Sequence, residues 1–219
     1  MMLNGICSTF KEKESNCVRI IIIDSGVDDN HKLQQEKEIF GATAYVNKAN
    51  EPEFSDDFSD VFGHGTAIWG IIDKNTSNSI IYNIKMFDSE GNADQPTVVK
   101  VLEYIYHNIY CEIINLSLGF TQYEDTNEFE EIINKLHSKG IIIVSAFSND
   151  GAMSFPAAFK NVIGVESNRE LRKKDEFEYV ESSAINIRAK VVANVYCGNI
   201  LMSTLWLRAI VFLLHLLHL

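Results

Sequence analysis

The sequence VRIIIIDSGVD at residues 18–28 gives the first indication of the fold class. A continuous apolar run that ends at a turn is typical of a strand buried on both faces, as in a parallel sheet. Asp24 closes the run, and Gly26 lets the chain turn away sharply. Because open α/β sheets place functional groups at the carboxyl ends of their strands, Asp24 is a candidate site residue. The alternative interpretation is an aspartate that caps a following helix.

Strands and helices alternate after this stretch. The sequence predicts strands over residues 80–87, 113–118, 141–146 and 161–165, and helices from residue 94 onward and over residues 126–139. This alternation predicts an α/β domain with a mainly parallel sheet and helices on both faces. The acidic residues 51–60 and the highly charged residues 166–181 predict surface loops.

The chain of 219 residues is long enough for one sizeable core. We divide it into an N-terminal extension at residues 1–17, the α/β domain at residues 18–199, and an apolar tail at residues 200–219. The net charge of −11 argues against nucleic acid as a partner. No signal peptide is evident at the amino end, which predicts a cytoplasmic protein.

A second candidate residue is His64, in the sequence GHGT at residues 63–66. Apolar residues follow, so His64 is predicted to open a buried helix from a glycine-lined turn. Histidine is the side chain whose usual pKa suits proton transfer near neutrality, and its ring needs a carboxylate to fix the tautomer. The alternative interpretation is a helix-capping or solvent-facing histidine.

Four further segments extend this pattern: NLSLG at 115–119, VSAFSN at 144–149, FPA at 155–157 and VIGV at 162–165. Together with the segments around Asp24 and His64, their order resembles the subtilisin-like serine peptidases, the subtilase family. The resemblance extends from about residue 18 to about residue 190. It implies a three-layer subtilisin-like domain that hydrolyses peptide bonds in peptide or protein substrates. It also implies calcium as a possible cofactor, although residues 51–60 fit no specific calcium loop.

The resemblance implies a role for each matching residue. Asp24 would orient His64, and His64 would act as the general base. Asn149 would donate its side-chain amide in the oxyanion hole. The backbone of Ser117, Leu118 and Gly119 would pair with the substrate. For Asn149 alone, a residue in a turn is the alternative interpretation.

The nucleophile segment departs from the family pattern. The family carries a serine after Gly-Thr or Gly-Asn at the start of a buried helix, and here Gly198 and Asn199 are followed by Ile200. Ser203 lies one helical turn later, and Cys197 precedes the glycine, so the nucleophile is unknown. The sequence therefore predicts an impaired serine endopeptidase, or alternatively a peptide-binding pseudo-peptidase without turnover.

The apolar tail allows three interpretations: a membrane span, a buried core helix, or a product of a changed reading frame after Asn199. With suitable codons, the shifted frame reads Ser-Tyr-Val-Asn from position 200. Arg208 in the middle of the tail opposes membrane insertion, so we expect no membrane contact. A rival for the whole chain is an unrelated doubly wound domain, such as a phosphate-handling receiver, in which Asp24 holds a metal.

Overall fold

The computed structural model describes residues 10, 17–28, 38–76, 78–121, 127–148, 152–168, 170–171, 177–180, 186–190, 195–197 and 200–202. Three helices are described: α1 (His64–Asn75), α2 (Gln95–Asn108) and α3 (Asn127–Ser138). The strands are β1 (Val18–Asp24), β2 (Phe40–Val46), β3 (Pro52–Ser55), β4 (Ser79–Lys85), β5 (Ile113–Leu116), β6 (Ile142–Ala146), β7 (Ile163–Asn168), β8 (Phe177–Tyr179), β9 (Ile187–Lys190), β10 (Val195–Cys197) and β11 (Ile200–Met202).

Nine of these strands form one sheet in the order β3-β2-β4-β1-β5-β6-β7-β9-β8. All neighbours pair in parallel except the two outermost strands, β3 and β8, which are antiparallel to their partners. β1 lies between β4 and β5, so the chain first builds the sheet on one side of β1 and then returns to the other. Such a reversal of strand order opens a crevice at the carboxyl ends of the strands. Asp24 lies at that end of β1.

The alternation of side chains along β1 creates a core on each face of the sheet. Ile20 and Ile22 belong to one buried cluster, which includes Ile68, Trp69 and Ile72 of α1. Ile21 and Ile23 belong to the other cluster, which contains the buried faces of α2 and α3. The predicted α/β class, with a mainly parallel sheet and helices on both faces, is confirmed.

The ends of α2 and α3 follow from local sequence. Asp94 caps α2 by accepting a hydrogen bond from the Thr97 N–H at 2.9 Å, and Pro96 lies in the first turn, where a missing N–H costs nothing. After α3, Gly140 has a φ of 82°, the left-handed conformation that ends many helices. Both helices therefore lie close to the ranges that the sequence predicts.

Two predicted loops contain strands. Residues 52–55 form β3, which pairs with β2, and the segment 166–181 contains both the end of β7 and the edge strand β8. The prediction of loops was wrong at these positions because short edge strands are specified by pairing with a neighbour, which the composition of the segment does not reveal.

The segment around Ile200 also differs from expectation. β10 and β11 form an antiparallel pair in which Cys197 is opposite Ile200, so the helix implied at this position is replaced by a strand. A Gly-Asn pair between two apolar β-branched or aromatic segments is itself a hairpin signal, and three large apolar residues follow it directly. Residues 203–219 lie outside the described residues. Within the described part of the chain, no helix is long and apolar enough to cross a bilayer.

Candidate active site

Asp24 occupies the buried end of β1, an interior strand of the sheet. Its side chain is 2% exposed, and its Oδ1 accepts a hydrogen bond from the Ser25 N–H at 2.6 Å. Its Oδ2 is buried without a hydrogen-bond partner among the described residues. The chain turns after Asp24 instead of entering a helix, since residues 25–28 are not helical. The alternative of a helix-capping aspartate is therefore excluded.

His64 meets Asp24 from the start of α1. Gly63 precedes it with a φ of 78°, a conformation that glycine adopts without strain, and turns the histidine into the site. The Nδ1 atom of His64 lies 2.7 Å from Oδ1 of Asp24, and the His64 side chain is 11% exposed. The ring is therefore neither the helix cap nor solvent-facing. It is one partner of a buried imidazole–carboxylate contact.

Opposing effects set the pKa of His64. Burial of the ring acts to lower it, but the charge and hydrogen bond of Asp24, together with the charge of Asp60, outweigh burial. The pKa of His64 therefore lies above its usual value. The environment stabilises the protonated ring, which is the form that a general base adopts after it has accepted a proton.

Two glycines allow the Asp24 turn and α1 to come this close. A Cβ on Gly65 would lie 2.1 Å from the Gly26 carbonyl oxygen, and a Cβ on Gly26 would lie 2.3 Å from the carbonyl oxygen of Phe58. Gly26 also has a φ of 107°. The turn after Asp24 is thus in direct backbone contact with the loop that precedes α1 and with the first turn of α1.

The sequence analysis missed Asp60, which it placed in a solvated acidic loop. Its carboxylate accepts hydrogen bonds from Ser25 Oγ, from the N–H groups of Phe62, Gly63 and Thr66, and from Thr66 Oγ1. A signal was present, because an aspartate shortly before a predicted helix often binds the free N–H groups of its first turn. The contact with Ser25 had no signal in the sequence.

The predicted substrate-binding residues follow β5. The Ser117 Oγ accepts a hydrogen bond from Asn115 Nδ2 at 2.8 Å, and the Ser117 N–H donates to the Ile23 carbonyl at 3.1 Å. The backbone N–H and C=O groups of Leu118 and Gly119 make no hydrogen bonds to other described backbone groups. Both residues line an open cleft of about 360 Å³, whose other walls are Phe87, Gly91, Asn92, Ala93, Phe120 and Thr121.

The structure does not describe the full set of candidate residues. Asn149 and Ser203 lie outside the described residues. Cys197 and Ile200 face each other across the β10–β11 pair, and the structure describes only their backbone. Among the described residues, no three histidine, cysteine or acidic side chains come together in a group that could hold a metal ion.

The comparisons with known proteins agree with this geometry. A sequence model of the Subtilase family matches residues 15–204. The chain belongs to the subtilase family. It is 27% identical over 172 residues to the Minor extracellular protease Epr of Bacillus subtilis (strain 168), a match that covers 73% of this chain and 25% of the relative. It is 25% identical over 175 residues to Subtilisin of Bacillus pumilus, covering 73% of this chain and 60% of that protein.

Solved structures support the same fold. The crystal structure of a cold adapted subtilisin-like serine proteinase superposes with a TM-score of 0.66 at 20% identity, covering 93% of this chain and 79% of the other. The three-layer subtilisin-like fold expected from the sequence is therefore confirmed. The chain spans only 25%, 60% and 54% of the length of three known relatives that it matches. The rival of a phosphate-handling receiver is excluded, because residues 15–204 match the Subtilase family and His64 lies within hydrogen-bond reach of Asp24.

Proposed function

We propose that this chain is the catalytic domain of a subtilisin-like serine endopeptidase whose nucleophile segment is altered. The observation that carries the proposal is the 2.7 Å contact between His64 Nδ1 and Asp24 Oδ1, at the carboxyl end of the interior strand β1 of a subtilase fold. A buried histidine held by a buried carboxylate is the acid–base half of a catalytic triad.

The proposed chemistry follows from which ring nitrogen is engaged. With Nδ1 of His64 hydrogen-bonded to Asp24, Nε2 is the nitrogen that can accept a proton from a nucleophile. The imidazolium is then stabilised by the Asp24 carboxylate and returns the proton to the leaving amine. Asn149 is the proposed oxyanion donor, because its position in the sequence matches the family segment.

The proposed substrate is an extended peptide or protein segment. It would pair with the backbone of Leu118 and Gly119, whose hydrogen-bonding groups are free of other described backbone groups. Addition of a strand to such an edge gives affinity through main-chain hydrogen bonds. The cleft beside these residues would take a side chain of the peptide. A calcium site and a cytoplasmic location stay predictions, which calcium-dependent melting and cell fractionation would test.

A second candidate function is a peptide-binding pseudo-peptidase, and the nucleophile segment favours it. Ile200 stands where the pattern requires serine, and it begins the strand β11 instead of a helix. Loss of the nucleophile alone lowers turnover about a millionfold in this chemistry. A changed reading frame after Asn199 would explain the same observation, and sequencing of the coding DNA tests it.

Reaction with a fluorophosphonate probe, followed by mass mapping of the labelled residue, separates these functions. The probe labels only a serine that the acid–base pair activates. Labelling that disappears in His64→Ala would establish a working peptidase and identify its nucleophile. Absence of labelling in a folded protein, together with binding of a fluorescent peptide, would establish the pseudo-peptidase. Absence of both labelling and peptide binding would contradict both functions.

A further inference from the structure

The carboxylate of Asp60 is the most heavily hydrogen-bonded side chain around the candidate site. Oδ1 accepts from Ser25 Oγ at 2.9 Å and from the N–H groups of Phe62 at 2.9 Å and Gly63 at 2.8 Å. Oδ2 accepts from the N–H of Thr66 at 2.9 Å and from its Oγ1 at 2.7 Å. A carboxylate is suited to this position because the first N–H groups of a helix lack partners within the helix and carry a partial positive charge.

These contacts join the two segments that supply the acid and the base. Ser25 directly follows Asp24, and Thr66 lies in the first turn of α1, which His64 begins. The Ser25 hydroxyl also accepts a hydrogen bond from the Gly65 N–H at 3.0 Å. Thr66 Oγ1 accepts one from the Asp28 N–H at 2.9 Å, so the same hydroxyl connects both segments again. The Asp24 turn and the start of α1 are therefore linked through Asp60 and the hydroxyls it holds.

We propose that Asp60 is the positioning residue that fixes the imidazole of His64 against the carboxylate of Asp24. This role rests on the proposed function of the site. Asp60 is assigned no contact with substrate. It positions the ring through Ser25, Phe62, Gly63 and Thr66, and its charge also raises the pKa of His64. Such positioning matters because a displacement of about 1 Å can cost about a hundredfold in rate. Among the described residues, the charged groups that influence His64 are Asp24 from β1 and Asp60 from the loop before α1.

The test is Asp60→Asn, with Asp57→Asn as the matched control. Asp57 lies in the same loop and carries the same charge, but it is exposed, and the Asp57 carboxylate accepts hydrogen bonds only from the N–H and Oγ of Ser59 among the described residues. An asparagine at position 60 offers one acceptor oxygen and directs an NH₂ group at donors that need an acceptor. The proteins are labelled with ¹⁵N-histidine, and NMR follows the Nδ1 proton and the titration of His64.

In Asp60→Asn we expect the His64 pKa to fall, because the ring loses a neighbouring charge and its close contact with Asp24. We also expect the low-field Nδ1 proton signal to weaken or vanish, as the hydrogen bond to Asp24 loosens. In Asp57→Asn both signals should stay close to those of the unaltered protein. The Nδ1 proton signal distinguishes positioning from a simple loss of charge. It also distinguishes positioning from a merely structural role, which would lower stability without changing this signal.

Ser25→Ala keeps the proposal testable if Asp60→Asn does not fold. It removes the hydroxyl between Asp60 and Gly65 while the charge of Asp60 remains, and we expect a smaller change of the Nδ1 signal in the same direction. Unchanged His64 signals in Asp60→Asn, or in Ser25→Ala when only that variant folds, would overturn the proposal. None of these measurements needs turnover, so a failure of fluorophosphonate labelling contradicts the proposed peptidase and leaves this test intact.

Discussion

Gly65 packs directly on the backbone of Gly26, so that a Cβ at position 65 would lie 2.1 Å from the Gly26 carbonyl oxygen. This contact joins the first turn of α1 to the turn that follows Asp24. A backbone atom cannot move aside as a flexible side chain can. The distance between His64 and Asp24 therefore depends on the absence of a side chain at Gly65.

Gly65→Ala should destabilise the protein and separate the candidate acid from the candidate base. We expect a loss of at least about 2 kcal/mol in the free energy of unfolding, the range of an overpacked core. Urea denaturation measures the loss. The control is Gly70→Ala in the same helix, where a Cβ would meet nothing within 4 Å. There we expect a gain of about 0.5–1 kcal/mol, because alanine favours a helix interior. Equal effects at the two glycines would contradict the packing described here.

The contact with Asp24 should make stability depend on the protonation of His64. Because the pKa of His64 is raised in the folded state, protonated His64 contributes stability that is fully present below its unfolded pKa of about 6.5. This contribution is lost as the pH rises through the higher folded pKa. Asp24→Asn removes the attraction between the carboxylate and the imidazolium but leaves the ring buried, so we expect this loss of stability with rising pH to disappear. The free energies of unfolding of the unaltered protein and of Asp24→Asn are measured across this pH range. Equal pH slopes for the two proteins would count against the contact.

The buried Arg19 at the opposite end of β1 should depend on Glu112. Arg19 is 1% exposed, its guanidinium lies 3.3 Å from the Glu112 carboxylate, and it stacks 5.0 Å from the Tyr110 ring centre. Glu112→Gln removes the charge of a carboxylate that faces a buried guanidinium. We expect a loss of roughly 2–3 kcal/mol, below the cost for a fully buried pair because Glu112 is partly exposed.

The control for this ion pair is Glu103→Gln. Glu103 pairs with Lys100 on the surface of α2 at 3.0 Å. Such exposed pairs contribute about 1 kcal/mol or less. Thermal melts of both variants provide the comparison. A Glu112→Gln variant as stable as Glu103→Gln would refute the importance of the buried charge.

Ile200→Ser alone should not restore reaction with the fluorophosphonate probe. Residue 200 lies in β11, opposite Cys197, whereas the family pattern places its serine at the start of a helix. A hydroxyl on this strand, instead of at the start of a helix, is not presented to His64 in the family's way, and activation requires hydrogen-bond reach. The comparison is the chain translated in the alternative frame after Asn199, which we expect to label at position 200. Labelling of the single variant would show that the backbone at position 200 already suits a nucleophile.

Much of the fold could be predicted because it is encoded locally. The apolar run of β1, the apolar face of α2 and the capping residue Asp94 each specify an element without reference to distant residues. The pairing of Asp24 with His64 could be predicted only through the resemblance to a family, since forty positions separate the two residues in the sequence. Physical reasoning alone left each of them with a structural alternative.

The remaining features depend on contacts between segments that are distant in sequence. Asp60 looked like one more charge in an acidic loop because the partner that matters, Ser25, lies 35 positions away. The edge strand β3 exists because β2 provides a neighbour. At β11 the local Gly-Asn signal favours a hairpin, whereas the family resemblance favoured a helix. Here the local signal agrees with the structure.

The links among Asp24, Asp60, Gly65 and Thr66 all lie within the first third of the chain. A lineage that lost its nucleophile codon would still be selected to keep whichever of these links the stability of the fold depends on. Natural selection for stability alone can thus preserve an aspartate–histidine pair for many generations after turnover has ceased. In diverged members of such a lineage, an intact aspartate–histidine pair reflects selection for folding and does not prove that catalysis is retained.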